Sequence, residues 1–580
     1  MDVFAAINNY VTKMISPGGA AGPAGKMKIL LLDSETVTIV SSSVTQSKLL
    51  SQEIYLIDRL DNADREKMRH LRCLCFIRPT PEAIQLLVDE LRDPKYGEYH
   101  IYFSNIVKKS SLERLAEADD HEVVRVVQEY FADYLTVNPD LFSISGPSMR
   151  RVWAPSPDMW SADALLRSTE GLLALMLSLK KKPLIRYERN SLLARKLGTE
   201  LVYQMKNEEQ LFDFGRQADT PPILLILDRR NDPVTPLLTQ WTYQAMVHEL
   251  LGVTNGRVDM SGVPDVRPEL KEIVLSQDQD PFFKKNMYLN FGDLGGSIKD
   301  YVDQYQTKTK SNMNIESISD MKRFVEEYPE FRRLSGNVSK HVTLVGELSR
   351  RVEKDNLLEV SELEQSLACN DSHAADLKML QRLLQSPIPS SNKVRLVALY
   401  ALRYHPHPQN ALPVLYDLLT VHNVPQLQIQ SIKNLLHFTR SLKPQEQLFE
   451  SDSIFSRARS GFKGLKGVEN VYTQHSPRLE QTIAALAKGR LKEQTHPFVE
   501  GGGVTREKPQ DVVVFIVGGV TLEEAKSVAQ INASTPGLRV VLGGTGVLNS
   551  AMFLEQVDDV VGTWPVAEGA TPAERLAARR

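Results

Sequence analysis

Short apolar runs alternate with stretches of helical apolar spacing over the first 140 positions. The runs at 28–33, 53–58, 73–78 and 99–104 predict strands, and 82–92 and 112–135 predict helices. Continuous apolar strands separated by helices predict a parallel sheet covered on both faces. Ahead of them, residues 1–15 predict an amphipathic helix with Val3, Phe4, Ile7, Val11 and Ile15 near one face. The Gly, Ala and Pro content of 16–25 predicts a loop.

The alternation continues over 141–240. Residues 161–187 predict a helix whose end is marked by Lys180, Lys181, Lys182 and Pro183, because cations suit a helix carboxyl end and proline stops it. A buried strand is predicted at 223–228. From 241 to 491 helical periodicity dominates, as at 376–385, 393–404 and 427–441, with Pro387, Pro389, Pro406, Pro408 and Pro444 between the helices. After a Gly-rich stretch at 500–509, a strand at 512–517, a helix at 522–532 and a strand at 539–542 follow. Two strands rarely stand alone. They are expected to rejoin the sheet of 141–240, which makes the helical region an insertion. The expected organisation is an α/β domain at 1–140, a discontinuous α/β domain at 141–240 and 492–580, and a helical domain at 241–491.

Composition narrows the function classes. The 580 residues are 42% hydrophobic, enough for sizeable cores, and carry 69 basic against 72 acidic side chains, a formal net charge of −3. That balance argues against a dedicated nucleic-acid binder. The longest apolar run, 171–179, is far short of a spanning helix, and no secretory signal is visible. Cys73, Cys75 and Cys369 are too few for a disulfide framework and suit a reducing compartment. Cys73 and Cys75 share one strand face and read as small buried hydrophobes. No further Cys or His stands at zinc-ligand spacing.

Candidate chemistry is sparse. The turn VVLGGTGVLNS, 540–550, lies between a strand and a helix, a setting that suits phosphate. Its third fingerprint position falls on Asn549, and it holds no lysine, so a structural turn is the better reading. Asp228 and Asp232, in DRRNDP, stand where paired carboxylates hold a metal or act as acid and base; equally, they fix a loop beside Arg229 and Arg230. An α/β enzyme or nucleotide binder using this turn and these aspartates is the alternative reading. His405 and His407 flank Pro406 in an extended loop, a poor ligand pair. No nucleophile elbow, zinc-protease helix or kinase signature is present. The segment SRARSGFKGLKG, 456–467, is basic and reads as a surface loop or an acidic-lipid contact. Over 296–336, Ile298, Tyr301, Val302 and Tyr305 precede a polar gap at 307–314, and Ile318, Met321, Phe324 and Val325 follow it. Pro329 then interrupts the second run. This predicts a helical hairpin with a proline break, serving either core packing or docking of partner helices.

The motifs LILDRRNDPVTPLLTQWTYQ (225–244), GVENVYTQHSP (467–477), VFIVGGVTLEEAKSV (514–528) and VVLGGTGVLNS resemble the signatures of the SM family of syntaxin-binding proteins. LLLDSETVTIVSSSVTQSKLLSQEIYLID (30–58) is similar to its first domain. The resemblance spans nearly the whole chain in the expected order. It implies an arch-shaped fold with two α/β domains and a large inserted helical domain, and no enzymatic activity or cofactor. It implies a chaperone that binds syntaxin and templates SNARE complex assembly for vesicle fusion in vacuolar protein sorting. The partners implied are a syntaxin-type Qa-SNARE, an R-SNARE and the assembled SNARE complex, with no nucleic acid. The protein is expected to be a cytoplasmic monomer, held through its partners at endosome, trans-Golgi network and vacuolar-pathway membranes. For the syntaxin amino-terminal peptide, the matching positions are Leu112, Val124 and Val127, with Glu129 nearby. Val124 and Val127 are expected three apart on one helix, and plain core packing is the competing reading. The hairpin 296–336 matches the SNARE template, through Ile298, Tyr301, Val302, Tyr305, Ile318, Met321 and Phe324, with Pro329 at its hinge. One departure stands out. Basic residues that grip closed syntaxin in the neuronal branch correspond to Thr38 and Thr45 here, while Asp58 stays acidic.

Overall fold

In the run KILLL, every residue has a strand neighbour on each side. The computed structural model describes residues 1–16, 27–144, 151–215, 220–278, 280–313, 318–445, 448–449, 471–500 and 508–565, and the side chains at 311–327 and 329 lie outside the description. Helix α1 (Val3–Ile15) precedes strand β1 (Lys28–Leu32), which is followed by α2 (Thr36–Ser43), α3 (Gln46–Ser51), β2 (Ile54–Arg59) and β3 (Met68–Ile77). Then come α4 (Pro81–Arg92), β4 (Tyr96–Phe103), α5 (Lys109–Ala118) and β5 (Val124–Glu129). The five strands form a parallel sheet in the order β2-β1-β3-β4-β5. Its two faces split the strand residues by alternation. Leu30, Leu32, Leu74, Phe76 and Tyr102 point to one core, and Ile29, Leu31, Cys73, Cys75, Tyr99, Ile101 and Phe103 to the other. Cys73 and Cys75 are fully buried on that second face, with their sulfurs 3.6 Å apart. Helix α4 covers it with Ile84, Leu87, Val88 and Leu91. Thr80 accepts from the Ala83 amide and Pro81 opens the first turn, so the start of α4 is set locally.

The chain continues through β6 (Leu135–Asn138), β7 (Leu141–Ser143), α6 (Ala162–Leu179), β8 (Leu184–Tyr187), α7 (Leu192–Asn207) and β9 (Ile223–Asp228). The helix expected from 161 to the stop marked by Lys180–Pro183 spans Ala162–Leu179. Lys180 takes a left-handed conformation (φ 54°) at its end, Pro183 blocks any continuation, and LIRY instead pairs with β9.

The helical region contains α8 (Tyr243–Leu250), β10 (Arg257–Asp259), β11 (Glu272–Val274), α9 (Pro281–Asn286), α10 (Phe291–Met313) and α11 (Ile318–Lys354). It goes on through α12 (Leu357–Cys369), α13 (His373–Leu384), α14 (Ser390–Tyr404), α15 (Leu412–Val421), α16 (Gln426–Arg440) and α17 (Arg478–Ala487). Strands β10 and β11 pair antiparallel within this mostly helical stretch.

The final segments are β12 (Asp511–Val517), β13 (Val520–Thr521), α18 (Leu522–Ser534), β14 (Arg539–Gly544), β15 (Val547–Leu548) and α19 (Ser550–Val561). They complete a six-stranded sheet in the order β6-β7-β14-β12-β9-β8, in which β12 lies between β14 and β9. All seven residues of β12 are buried, as a central parallel strand with two covered faces requires. Val513, Phe515 and Val517 join a core shared with α6, α7, α14 and α16, while Val512, Val514 and Ile516 pack with α17 and α18. Helix α18 starts on a reciprocal pair of bonds between Thr521 and Glu524.

Candidate functional site

The first candidate surface is the outer edge of the five-stranded sheet. Sequence spacing predicts one helix over 112–135, but the structure stops α5 at Ala118. The Asp119 carboxylate accepts from the amides of Val123 (2.8 Å) and Val124 (3.1 Å), and Glu122 takes a positive φ of 52°. The valine-rich run beyond is then drawn into the sheet as β5. On a regular strand, residues three apart face opposite ways. Here the register slips between Tyr99 and His100, whose partners are Val124 and Val126. Val127 and Glu129 consequently pair with Ile101 and Phe103, on the same face as Val124 opposite Tyr99. Leu112, on α5, and Val124 are half-buried against the core of that face, and Val127 is 47% exposed. The Glu129 carboxylate accepts from the Val107 amide at 2.8 Å, and burial raises its pKa. The edge thus presents one accessible valine beside two half-covered apolar residues and a half-buried carboxylate. The β-branched density of 123–127 was the signal for a strand that helical spacing concealed.

The second candidate surface is the pair of helices α10 and α11. The stretch expected as a polar gap, 307–314, is helical as far as Met313. Ile298 and Tyr301 pack against the core of the helical lobe, where the Tyr301 ring stacks on Phe282 at 4.6 Å. Val302 is half-buried. Tyr305 stacks on Phe331 of α11 at 5.6 Å and accepts from the Ser335 hydroxyl at 3.2 Å, tying the helices together. Asp300, Asp303, Gln304, Thr307 and Lys308 line an open cleft of about 550 Å³. Helix α11 runs unbroken from Ile318 to Lys354, so the expected break at Pro329 is absent. Ile318, Met321, Phe324 and Pro329 lie on this helix, and their side chains fall outside the described residues.

The motifs of the enzymatic alternative are occupied by the protein itself. Asp228 is buried in an ion pair with Arg230 (2.7 Å) and accepts from the Ser191 hydroxyl at 2.6 Å. Asp232 accepts from the Thr235 hydroxyl (2.6 Å) and amide (3.1 Å). Burial pushes both carboxyls up, but Arg230 with the Ser191 hydroxyl at Asp228, and Arg229, His475 and Thr235 together at Asp232, leave each lowered. Neither carboxylate is available as a base. In the 540s turn, a Cβ on Gly543 would fall 2.1 Å from the Phe142 ring. The amino terminus of α19, where a phosphate would sit, holds Glu249 instead. Its carboxylate accepts from the Ser550 amide at 2.9 Å and from the Ser550 hydroxyl.

Other expected features resolve simply. His407 stacks on His373, and His405 contacts Arg440. Among the described residues no His, Cys, Asp and Glu side chains group as a metal site, and no helix is long and apolar enough to cross a membrane. Thr45 caps α3 by accepting from the Lys48 amide, and Asp58 accepts from Asn62. The basic segment 456–467 lies outside the described residues.

Comparison with known proteins adds the wider context. The family model described as the Sec1 family matches residues 28–556. Vacuolar protein sorting-associated protein 45 of Schizosaccharomyces pombe (strain 972 / ATCC 24843) is 51% identical over 561 residues, covering 96% of this chain and 99% of that protein. Its namesake in Homo sapiens is 48% identical over 561 residues, covering 96% of each. Among solved structures, the SM protein Vps45 in complex with the Qa SNARE Tlg2 (1-310) aligns with a TM-score of 0.91 and 64% identity, over 98% of this chain and 99% of that one.

Proposed function

This chain belongs to the Sec1 family, and from that premise we propose that it is an SM-type chaperone that binds a syntaxin-type Qa-SNARE and templates SNARE complex assembly for vesicle fusion in vacuolar protein sorting. The observation that carries the proposal is the full-length likeness to a Vps45 chain held in complex with a Qa SNARE. The protein acts as a monomer on endosome and trans-Golgi membranes, reached through its partners, and engages an R-SNARE and the assembled complex after the Qa-SNARE. It performs no chemistry; the engaged state of Asp228, Asp232 and the 540s turn supports that reading.

The mechanism is pre-organisation. SNARE motifs are disordered alone, so their assembly must overcome a large ordering entropy. The amino-terminal peptide of the Qa-SNARE docks at Leu112, Val124, Val127 and Glu129, on an edge whose Val127 is already accessible. Once it is held, the rest of the Qa-SNARE stays near the protein at an effective concentration of about a millimolar for a short tether. The α10–α11 pair then offers a helical surface on which partner helices align. Titrating the protein with a labelled Qa-SNARE cytoplasmic region, with and without its amino-terminal peptide, tests this. Tight binding that weakens when the peptide is removed is expected, and no binding to either form overturns it.

A further inference from the structure

Helix α11 changes character along its length. Among its described side chains the first buried one is Val338, and beyond it His341, Leu344 and Leu348 enter the core. Residues 338–341 therefore mark where the helix leaves the body of the protein. At this fulcrum sits a chain of buried polar groups. Oδ2 of Asp280 accepts from Nε2 of His341 at 2.6 Å and pairs with Nζ of Lys340. Oδ1 of Asp280 accepts from the Phe283 amide at 3.0 Å and so starts α9. On the other side of the imidazole, Nδ1 lies 2.8 Å from the Tyr243 hydroxyl of α8. An ionised carboxylate only accepts, so Nε2 carries the proton and Nδ1 accepts from Tyr243. Burial raises the Asp280 pKa, but His341 and Lys340 hold it at about 2, while burial lowers that of His341. The ring packs 4.6 Å from Phe282, which stacks in turn on Tyr301 of α10. Tyr243, Asp280 and His341 are all at most 1% exposed.

One imidazole thus has its two nitrogens committed to different elements, α9 through Asp280 and α8 through Tyr243, and its face packed on Phe282 of α9. An apolar residue of similar volume fills the space but leaves α11 free to tilt a little about this point. Two directional bonds on opposite ring edges remove that freedom. A small rotation at the fulcrum is magnified at the far end of a helix that rises about 1.5 Å per residue over twenty residues.

We propose that His341 is the positioning residue of the templating hairpin, fixing the direction in which α10 and α11 project and hence the register of the partner helices laid on them. This rests on the SM-chaperone reading above. The test uses the full-length protein with three variants. His341→Phe keeps the stacking and removes both hydrogen bonds, His341→Gln restores an amide donor toward Asp280, and Tyr243→Phe removes one hydroxyl. Binding of a Qa-SNARE cytoplasmic region lacking its amino-terminal peptide is measured beside binding of that peptide alone. Spin labels at residues 308 and 196 report the hairpin's direction. For His341→Phe, SNARE-motif affinity is expected to fall about tenfold, the equivalent of one net hydrogen bond, and the distance distribution to broaden, with peptide affinity unchanged. His341→Gln recovers most of both. Wild-type affinity and an unchanged distance distribution in His341→Phe overturn the proposal. If His341→Phe also loses the peptide, it is misfolded, and Tyr243→Phe decides by the same criteria. If the wild-type protein binds no SNARE motif, the chaperone reading has failed, and the distance distributions alone still decide the role of His341.

Discussion

Arg229 and Glu524, 295 positions apart, form an ion pair that water does not reach: Nη2 lies 2.7 Å from Oε1 and 2.6 Å from Oε2, and each side chain is 1% exposed. The same guanidinium donates from Nε to the Gly519 carbonyl and from Nη1 to the Asp232 carbonyl. It therefore bolts the end of β9 to the start of α18. A Cβ on Gly518 would lie 2.8 Å from the Arg229 side chain, so the glycine leaves room for the arginine.

Removing Glu524 leaves the buried Arg229 only the Asp232 carboxylate, 4.0 Å away, and breaking such a pair costs about 3–5 kcal/mol. Glu524→Gln isolates that cost, because glutamine at this position keeps the reciprocal bonds with Thr521 that begin α18. Urea denaturation is expected to show a loss of about 3 kcal/mol or more. A loss below about 1 kcal/mol means that Asp232 alone satisfies the buried guanidinium and contradicts a dependence on Glu524.

Val127 gives the opposite expectation. Its side chain is 47% exposed, so Val127→Arg leaves the fold intact, with a stability change within about 0.5 kcal/mol. An arginine there places a charge beside the half-buried Leu112 and Val124, where an apolar peptide side chain is proposed to dock. Calorimetric titration with a Qa-SNARE amino-terminal peptide is expected to show at least tenfold weaker binding. Unchanged affinity removes Val127 from the binding surface.

These residues also show what a sequence reveals. The apolar runs of β1, β3, β4, β9, β12 and β14 are legible because strands buried on both faces are continuously apolar, and the run of β2 is legible although this edge strand is buried only at alternate positions. The strand β5 is not, because valines at 124 and 127 satisfy helical spacing, and the deciding groups are the Asp119 carboxylate and a sheet neighbour 25 residues away (Tyr99 beside Val124). The strand β8 hides for the same reason: LIRY is too short to declare itself, and pairing with β9 makes it a strand. For Asp228 and Asp232 the sequence offers both a catalytic and a loop-fixing reading, with Arg229 and Arg230 beside them, but it does not show which side chains each carboxylate meets. Arg230 is two residues away and Ser191 thirty-seven, and only the fold brings them onto Asp228.

Glu188 offers a pH signature. Its carboxyl accepts from the Asp228 amide at 2.6 Å, and burial, with the nearby Asp228 charge adding to it, lifts its pKa from 4.5 to about 7 against the bonds from Asn231 and the Asp228 amide. A raised carboxyl pKa means that the folded protein holds a proton that the unfolded chain has lost between pH 4.5 and 7. The contribution to stability is therefore greatest below that window and declines as pH rises through it. Relative to Glu188→Gln, which cannot titrate, the wild-type protein is expected to lose stability from pH 5 to pH 7 and then to level off. Parallel stability profiles for the two proteins contradict the assignment.

Pro329 lies inside a continuous α11, although proline has no N–H to offer the carbonyl of residue 325. The cost is about 3 kcal/mol relative to alanine in a helix interior. The neighbouring Tyr328 and Glu330 are exposed, so this part of the helix lies outside the core that begins at Val338. The continuous form is then held against a local penalty, and Pro329→Ala removes the penalty. Backbone amides around 320–330 are expected to exchange about a hundredfold more slowly in the variant, as about 3 kcal/mol implies. If the chaperone works by presenting the extended α11 to partner helices, SNARE assembly in a reconstituted fusion assay speeds up in step. Slower exchange with an identical assembly rate separates the two: the helix is strained at Pro329, but its extension is not the step that limits templating.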